Sequence, residues 1–428
     1  MKRKSIRIMA GVLACAMFCC VNMGCGKNQE KGPAYTTAIE QQGETGQEGK
    51  VMTDATEIKA MAGTIVENMT LEEKIGQMFV VNLEQLDQSQ GNYYEFRKFT
   101  DEMGENLQHY GVGGVILFAR NIESISQTKE LIAQLQDHGT VPLFISVDEE
   151  GGDVARIGNN SNMHTTTYPP MEEVGEKEDE EYAYNMGATI GKEIKELGFN
   201  VDFAPVADVK TNAYNTEIGN RSFGSDASQV ASMVKQVVYG IQDQNISATL
   251  KHFPGHGSTL GDSHTSPVNA ETDLLGLRST EFKPFQAGIN AGVDFVMVSH
   301  ISISKVTETT IPASMSKLVL KNMLRDELGF QGIIITDAMD MGAITEKYSA
   351  AEAAVNCVKA GEDIVLMSTD LPAAYDAVLE AVEEGEIPET QIDASVQRIM
   401  EVKIKRGLIL SDTPLLATAK PEQSADAQ

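Results

Sequence analysis

Short apolar runs alternate with longer amphipathic stretches along most of the chain. Eight short runs of apolar and β-branched character have the composition of strands, and they lie at residues 78–82, 114–119, 142–147, 201–206, 247–252, 294–299, 332–336 and 364–367. Between them apolar residues recur with helical spacing, as at residues 128–137, 180–197, 227–242, 279–291 and 317–328. Because the alternation persists, we predict a parallel sheet with helical crossovers, closed into a single (β/α)8 TIM barrel. Before the first strand, Thr70 and Glu73 have capping-box spacing and predict a helix start.

A doubly wound open sheet is the alternative architecture. If it bound a dinucleotide, we would expect Gly-x-Gly-x-x-Gly after an early strand, and the sequence has none there. The polar residues that end the predicted strands favour the barrel, and they are Asp148, Lys251, His252, His300 and Asp337. Barrel active sites lie at the carboxyl ends of the strands, so we expect these residues to converge on one face.

The stretch that follows the fifth predicted strand is dense in titratable groups. Residues 251–267 read KHFPGHGSTLGDSHTSP and contain His252, His256 and His264, three of the seven histidines of the chain. Loops bury little apolar area, and stability alone seldom requires so many histidines in one of them. We interpret this loop as a functional site, and a histidine-rich surface loop or a fortuitous metal site is the plainer alternative.

Two residue patterns suggest acid, base and nucleophile chemistry. Asp262 precedes His264 by two residues, so the carboxylate can orient the imidazole and raise its basicity. Asp337 ends a β-branched run, and a carboxylate at a barrel strand end is suited to nucleophilic attack. Capping of the following helix is an equally good interpretation of Asp337 taken alone.

Several charged residues have the character of ligand contacts. Lys251 and His252 are adjacent donors at a strand end, Asp148 and Arg156 offer an acceptor and a forked donor, and Arg221 adds another donor. For each arginine, a surface ion pair is the competing interpretation.

A zinc hydrolase is disfavoured by the backbone composition of the same loop. His252 and His256 have the spacing of two ligands on one helical face, but Pro254, Gly255 and Gly257 argue against a helix there. We therefore expect no metal and no organic cofactor.

The net charge of -28 argues against binding to nucleic acid or to anionic membrane surfaces, because both favour basic partners. The amino terminus is the exception, with four basic residues among the first seven and an apolar run at residues 8–21. That run is too short to span a bilayer comfortably, so residues 1–24 are predicted to be a secretory signal.

Cysteine placement points to export with a lipid anchor. Four of the five cysteines lie in or just after the apolar run, so an internal disulfide framework is excluded for the exported part. Gly24-Cys25-Gly26 resembles a bacterial lipobox, with Asn22 where that pattern usually has an aliphatic residue. We expect Cys25 to be lipidated and to hold the protein on the outer side of the cell membrane, and ordinary signal cleavage with secretion is the alternative. Residues 25–57 then form a flexible linker, residues 58–415 the barrel and residues 416–428 a flexible tail.

With these residues in view, the chain resembles glycoside hydrolase family 3 from about residue 69 to residue 410. The resemblance is to the single-barrel β-N-acetylglucosaminidases of the bacterial peptidoglycan-recycling type, without the second domain of many family β-glucosidases. The motifs that carry it are Lys251-His-Phe-Pro-Gly-His-Gly257 with Asp262-Ser-His264, Asp148-x-Glu-Gly-Gly-x-Val-x-Arg156, Arg221-Ser-Phe-Gly224 and Ile335-Thr-Asp337-Ala-Met-Asp-Met-Gly342. One departure is Asp153, where relatives often carry arginine.

The resemblance implies a role for each candidate residue. Asp337 would be the nucleophile and His264 the general acid/base, assisted by Asp262. The sugar would be bound by Asp148, Arg156, Arg221, Lys251 and His252. The implied activity is that of a retaining exo-β-N-acetylglucosaminidase acting on N-acetylglucosamine-containing glycans or muropeptides. A β-glucosidase, a β-xylosidase, a phosphorylase of the same family and a non-catalytic surface sugar-binding protein stay open as alternatives.

Overall fold

The computed structural model describes residues 52–91 and 93–413. The predicted signal peptide, Cys25, most of the predicted linker and the predicted tail lie outside these residues. Within the described ranges, helices lack the length and apolar character needed to cross a membrane.

The strands of the structure coincide with the eight apolar runs, and a short hairpin follows the third. In chain order they are β1 (Phe79–Val81), β2 (Gly114–Ile116), β3 (Phe144–Val147), β4 (Glu149–Gly151), β5 (Val154–Ala155), β6 (Val201–Asp202), β7 (Ser247–Phe253), β8 (Phe295–Val298), β9 (Ile333–Thr336) and β10 (Val365–Leu366). The hairpin β4–β5 is antiparallel and separate from the main sheet.

The other eight strands form one sheet in the order β10-β1-β2-β3-β6-β7-β8-β9, and all the strand pairs in it are parallel. The two ends of the sheet meet, because Ile335 bridges to Ile364 and Thr336 N donates to Ile364 O at 3.0 Å. The prediction of a single (β/α)8 barrel is therefore confirmed, and the open-sheet alternative is wrong.

Helices cover the outside of the barrel. They are α1 (Ala55–Asn68), α2 (Leu71–Gln77), α3 (Leu83–Leu86), α4 (Asp101–Tyr110), α5 (Ile125–His138), α6 (Met171–Glu176), α7 (Glu180–Leu197), α8 (Ala227–Asp243), α9 (Leu274–Gly276), α10 (Phe282–Asn290), α11 (Ser304–Thr307), α12 (Gly342–Thr345), α13 (Ala350–Ala360), α14 (Leu371–Glu383) and α15 (Glu389–Lys405). Short 3-10 turns lie at Gln88–Gln90, Ala119–Asn121, Gly219–Arg221 and Ala313–Met315, and π-helical segments at Leu277–Glu281 and Leu318–Glu327.

Two helix starts illustrate how the sequence sets these boundaries. The predicted capping box before α2 is present, with Glu73 N donating to Thr70 Oγ1 at 3.2 Å and Thr70 N donating to Glu73 Oε2 at 2.8 Å. Helix α1 begins at Ala55, inside the stretch predicted as linker, because Asp54 Oδ1 accepts from Thr56 N and Glu57 N and so caps it.

The helix predicted at residues 279–291 begins with a π-helical segment in place of a regular α-helical turn. Leu277–Glu281 is π-helical and continues into α10. Pro284 explains the change, because its ring would clash with the carbonyl of Thr280 in a regular α-helix and it donates no hydrogen bond.

The amino-terminal end of the barrel is closed by a buried lysine. Lys403 Nζ donates to Gln77 Oε1 at 2.7 Å and lies 4.9 Å from the ring centre of Phe144, the first residue of β3. Burial lowers the pKa of Lys403 well below its usual value. This end is therefore packed, and the polar residues predicted to form a site occupy the opposite end.

Candidate active site

The carboxyl ends of the strands carry a group of interlocked charges. Asp148 directly follows β3, and Lys251 lies near the carboxyl end of β7. Lys251 Nζ lies 2.8 Å from Asp148 Oδ1. The same ammonium lies 2.6 Å from Glu150 Oε1, in the hairpin strand β4. Glu150 in turn accepts two bonds from Arg221, from Nη2 at 2.7 Å and from Nε at 2.9 Å. We call Asp148, Glu150, Arg221 and Lys251 the ion cluster.

Burial makes this cluster depend on its internal pairing. The side chains of Glu150 and Lys251 are 1% and 3% exposed. Burial opposes ionisation of Glu150, but Arg221 and Lys251 outweigh it and lower the pKa of its carboxyl to about 2. For Asp148, burial is likewise outweighed by Lys251 and Arg156, and its pKa falls to about 2. Both carboxylates therefore keep their charge at neutral pH.

Arg156 reaches the same cluster from the hairpin side. Its Nη2 lies 3.4 Å from Asp148 Oδ2, and its side chain is 31% exposed. Among the described residues its Nε atom is buried and has no hydrogen-bond partner. The exposed part of this forked donor, beside a carboxylate, is suited to binding a polyhydroxylated ligand.

His252 is fixed by a carboxylate that the sequence interpretation did not include. Its Nδ1 lies 2.7 Å from Oδ2 of the fully buried Asp208, whose Oδ1 accepts from His256 N at 2.6 Å. With Nδ1 donating to Asp208, the Nε2 atom faces Arg221, at 3.5 Å from Nη2. Asp208 thus orients His252 toward the ion cluster.

The Asp262–His264 pair forms as the spacing predicts. Asp262 Oδ1 lies 2.8 Å from His264 Nδ1 and also accepts from His264 N at 2.9 Å. A second carboxylate, Glu217, places Oε1 at 3.4 Å from the same ring nitrogen. The Glu217 carboxylate, with the Asp262 hydrogen bond and the charge of Asp337, outweighs burial and raises the pKa of His264 to about 9. The imidazole is therefore protonated at neutral pH.

The loop that carries His264 lies directly against the segment that follows Asp337. Gly342 N donates to His264 O at 2.8 Å, and Ala343 N donates to Ser263 O at 3.1 Å. The approach is so close that a Cβ atom at position 342 would lie 2.5 Å from Thr265 O, so only glycine fits there. These contacts bring the predicted acid/base and the predicted nucleophile to the same part of the barrel mouth.

Asp337 is half-buried and does not cap the helix after it. Its Oδ1 accepts from Ala338 N at 2.8 Å, while α12 begins five residues later with Met341 as its N-cap. His300 lies alongside, with Nε2 at 3.0 Å from Ala338 O, and burial lowers the pKa of its imidazole. The helix-capping interpretation of Asp337 is therefore wrong.

Sequence reasoning missed three carboxylates that organise the site: Glu150, Asp208 and Glu217. Glu150 could have been found, because it lies two residues from Asp148 and an extended segment places such residues on the same face. Asp208 follows the fourth predicted strand, as the other strand-end residues follow theirs. For Glu217 the sequence offers one weak signal, its position four residues before Arg221.

A metal centre was not expected here, and one cluster bears on that expectation. In the described part of the chain, Glu217, Asp262 and His264 place one ligand atom each within 4.8 Å of one another. Asp262 Oδ1 and Glu217 Oε1 both face His264 Nδ1, at 2.8 and 3.4 Å. We therefore interpret the cluster as an acid/base assembly around this ring nitrogen. His252 and His256 do not form a ligand pair, since Asp208 holds the first and Thr259 and Ser263 hold the second.

Comparison with known proteins gives a consistent assignment. Residues 70–402 match the family model described as the glycosyl hydrolase family 3 N terminal domain. Beta-hexosaminidase A of Pseudoalteromonas piscicida is 32% identical over 329 residues, which are 71% of this chain and 55% of that protein. Beta-hexosaminidase LpqI of Mycobacterium tuberculosis is 33% identical over 309 residues, covering 69% of this chain and 77% of that protein.

Among solved structures, the chain is similar to a glycoside hydrolase family 3 beta-N-acetylglucosaminidase from Paenibacillus sp. str. FPU-7. The TM-score is 0.74 at 37% identity, over 79% of this chain and 63% of that one. The chain thus spans only 55% of the Pseudoalteromonas protein and 63% of the Paenibacillus chain. The family match, however, begins at the Thr70 cap of α2 and includes all ten strands. The chain therefore belongs to glycosyl hydrolase family 3.

Proposed function

We propose that the chain is a retaining exo-β-N-acetylglucosaminidase that removes terminal, non-reducing β-linked N-acetylhexosamine residues. The observation that supports the proposal is the contact between the loop that carries His264 and the segment after Asp337, in which Gly342 N donates to His264 O and Ala343 N donates to Ser263 O. The names of the relatives, beta-hexosaminidase and beta-N-acetylglucosaminidase, support the choice of sugar.

In the first step Asp337 attacks the anomeric carbon with a carboxylate oxygen, and a covalent glycosyl-enzyme forms. The electrons of the glycosidic bond go to the leaving oxygen, which takes a proton from His264. Asp262 holds the Nδ1 proton of the ring, so the donated proton comes from Nε2. The leaving group departs as a neutral alcohol.

In the second step neutral His264 takes a proton from water, whose oxygen attacks the anomeric carbon and releases Asp337. The change of role from acid to base follows from electrostatics. The Asp337 charge helps to raise the pKa of His264, and this charge disappears when Asp337 becomes an ester. The pKa of the imidazole therefore falls in the intermediate, which favours a neutral base at that stage.

In this proposal the sugar is contacted by Asp148, Arg156 and the donors beside them. Asp148 offers lone pairs and Arg156 a partly exposed guanidinium, while Lys251 and Arg221 hold the carboxylates of the ion cluster in place and His252 faces Arg221. The members of the ion cluster are already paired before a ligand arrives, so little ordering of these side chains is needed on binding.

Two other activities of the same barrel compete with this one. A β-glucosidase or β-xylosidase would differ only in its sugar contacts. A phosphorylase would use phosphate in place of water, which a neutral histidine base tolerates better than a carboxylate would. A surface protein that binds sugars or muropeptides without hydrolysing them is the alternative from another class.

A panel of aryl glycosides separates these possibilities. We expect hydrolysis of the β-N-acetylglucosaminide at a kcat/KM at least about tenfold above those of the β-glucoside and β-xyloside, because each lost polar contact costs roughly 1 kcal/mol or more. We expect added phosphate to change neither rate nor product. Preference for the glucoside, release of a sugar phosphate, or binding without turnover would each contradict the proposal.

We also propose that the protein is exported and held at the cell membrane by a lipid on Cys25. The basic and apolar segments at residues 1–21 and the Gly24-Cys25-Gly26 pattern support this location. The expected result is that cells expressing the chain incorporate labelled palmitate into it, and that Cys25→Ser abolishes the label. Equal labelling of the Cys25→Ser chain would contradict lipidation.

A further inference from the structure

Glu217 connects two loops of the active site through one buried carboxylate. It lies in the loop between β6 and α8, and its side chain is 7% exposed. Among the described residues, its side-chain partners lie in the loop that carries His264: Oε2 accepts from Ser263 N at 2.9 Å, Oε1 accepts from Ser263 Oγ at 2.7 Å, and the rings of His256 and His264 lie 3.3 and 3.4 Å away.

The loop that carries Glu217 is itself well anchored. Asn215 Oδ1 accepts from Ile218 N at 2.8 Å, and Asn215 Nδ2 donates to His256 O at 2.8 Å. The backbone oxygen of Glu217 accepts from Arg221 Nη1 at 3.3 Å, so the residue is also tied to the ion cluster. Glu217 therefore has a fixed position relative to the barrel.

We propose that Glu217 is a positioning residue for His264: together with Asp262 it holds the Nδ1 proton, orients the ring and stabilises its imidazolium form. The inference rests on the proposed function, because it assigns Glu217 a part in preparing the acid of the first step.

Glu217 differs from Asp262 in how it is held. Asp262 lies nearer to the ring nitrogen, at 2.8 Å, but it is on the same loop as His264 and its side chain is 47% exposed, so it can move with the ring and solvent screens its charge. Glu217 lies at 3.4 Å, comes from a different loop and is 7% exposed, so its position does not move with the His264 ring, which is itself 60% exposed. Burial opposes its ionisation, but the neighbouring His264 and His256 rings and the Ser263 hydrogen bonds lower its pKa to about 2. The carboxylate therefore keeps its charge at neutral pH.

The other charged groups that face His264 set what remains when Glu217 is neutralised. They are Asp262 on its own loop, Asp337 and Asp340 after β9, and His300 after β8. Burial raises the pKa of Asp340 and lowers that of His300, so neither replaces the lost charge. Without the Glu217 carboxylate the pKa of His264 therefore falls, and the imidazolium is lost at lower pH.

The test is the pH profile of kcat/KM for Glu217→Gln, which keeps the shape of the side chain and removes its charge. In the parent protein, we expect the alkaline limb near pH 9, where His264 loses its proton. In the variant we expect this limb to move down by about one pH unit or more, as for loss of an opposite charge within a few ångströms. At neutral pH the variant should lose more activity on chitobiose, whose leaving group is a poorly acidic sugar hydroxyl, than on an activated aryl glycoside.

Glu281→Gln is the matched control. Glu281 is a buried glutamate that packs against the same loop, since a Cβ atom at Gly255 would lie 2.5 Å from Glu281 Oε2. Burial and the Asp208 charge raise the pKa of Glu281 to about 8, so the amide resembles its protonated form at neutral pH. We expect Glu281→Gln to leave the alkaline limb and the neutral-pH activity unchanged. This result would also show that the alkaline limb does not arise from the titration of Glu281.

Three results would overturn the inference. One is a folded Glu217→Gln protein whose alkaline limb stays in place, and another is an equal loss of activity at every pH and for every leaving group. The third does not depend on the variant: a His264 pKa near 6.5 in the parent, measured by NMR of ring-labelled histidine, would show that no carboxylate stabilises the imidazolium. A parent protein that cleaves none of the glycosides would instead reject the proposed function.

Discussion

Replacement of Asp337 by Asn is expected to abolish hydrolysis of an aryl N-acetylglucosaminide while leaving the fold intact. The amide cannot form the glycosyl ester, and removal of a covalent nucleophile lowers kcat by roughly 10³-fold or more. Asp337 is half-buried, and its side-chain oxygen Oδ1 accepts a hydrogen bond from the adjacent Ala338 N. An asparagine oxygen can accept the same bond, so we expect little change in stability. The measurement is kcat with the parent and variant proteins, with their unfolding midpoints compared.

Asp340→Asn is the control for this change. Asp340 lies three residues further along, and burial raises the pKa of its carboxyl. It therefore presents a similar group near the same mouth without the geometry of the strand end. We expect the Asp340 variant to retain most of the parent activity. Substantial turnover by Asp337→Asn, or equal losses in the two variants, would contradict the assignment of the nucleophile.

Replacement of Glu150 by Ala is expected to produce the largest loss of stability at the site. The change leaves the buried ammonium of Lys251 and the guanidinium of Arg221 facing each other without the carboxylate between them. Removing one partner of a buried ion pair costs about 3 to 5 kcal/mol. We expect the denaturation midpoint to fall accordingly and sugar binding to weaken, because Lys251 also positions Asp148.

Glu327→Ala provides a matched comparison on the surface. Glu327 makes the same kind of two-bonded pair, with Arg278 Nε at 2.6 Å and Nη2 at 3.0 Å, but Arg278 is 51% exposed. Exposed pairs of this geometry contribute little to stability. The midpoint should therefore change far less for Glu327→Ala than for Glu150→Ala. Similar shifts in the two variants would show that the ion cluster is not held by its internal pairing.

The barrel itself could be predicted because its strands are buried on both faces. Strands such as β8 and β9 therefore appear in the sequence as short continuous apolar runs, and the crossovers between strands carry a helical repeat. Residues that end such strands share one rim, so Asp148, Lys251 and Asp337 could be identified from their positions alone.

The rest of the site could not be predicted because it depends on contacts between loops. Asp208 and Glu217 lie in a connection without a regular repeat, and their partners lie 44 and 46 residues further along the chain, in β7 and in the loop after it. The sequence does not specify how such loops meet. Single-residue patterns also left Asp337 with two interpretations, which only the observed start of α12 separates.

The acetamido group of the substrate offers a competing route, in which its own oxygen attacks the anomeric carbon and no bond to the protein forms. This route would leave His264 as an acid but give Asp337 no covalent role. The distinction bears directly on the central claim, that Asp337 and His264 act on one glycosidic bond from the same barrel mouth.

The most direct test is to trap the intermediate with a 5-fluoro-N-acetylglucosaminyl fluoride, which forms the glycosyl-enzyme faster than water removes it. Mass spectrometry of the intact and digested protein then locates the added sugar. We predict one added sugar, on the peptide that contains Asp337, and none on Asp337→Asn. Turnover of the reagent without a protein adduct, or an adduct on a different carboxylate, would contradict the account.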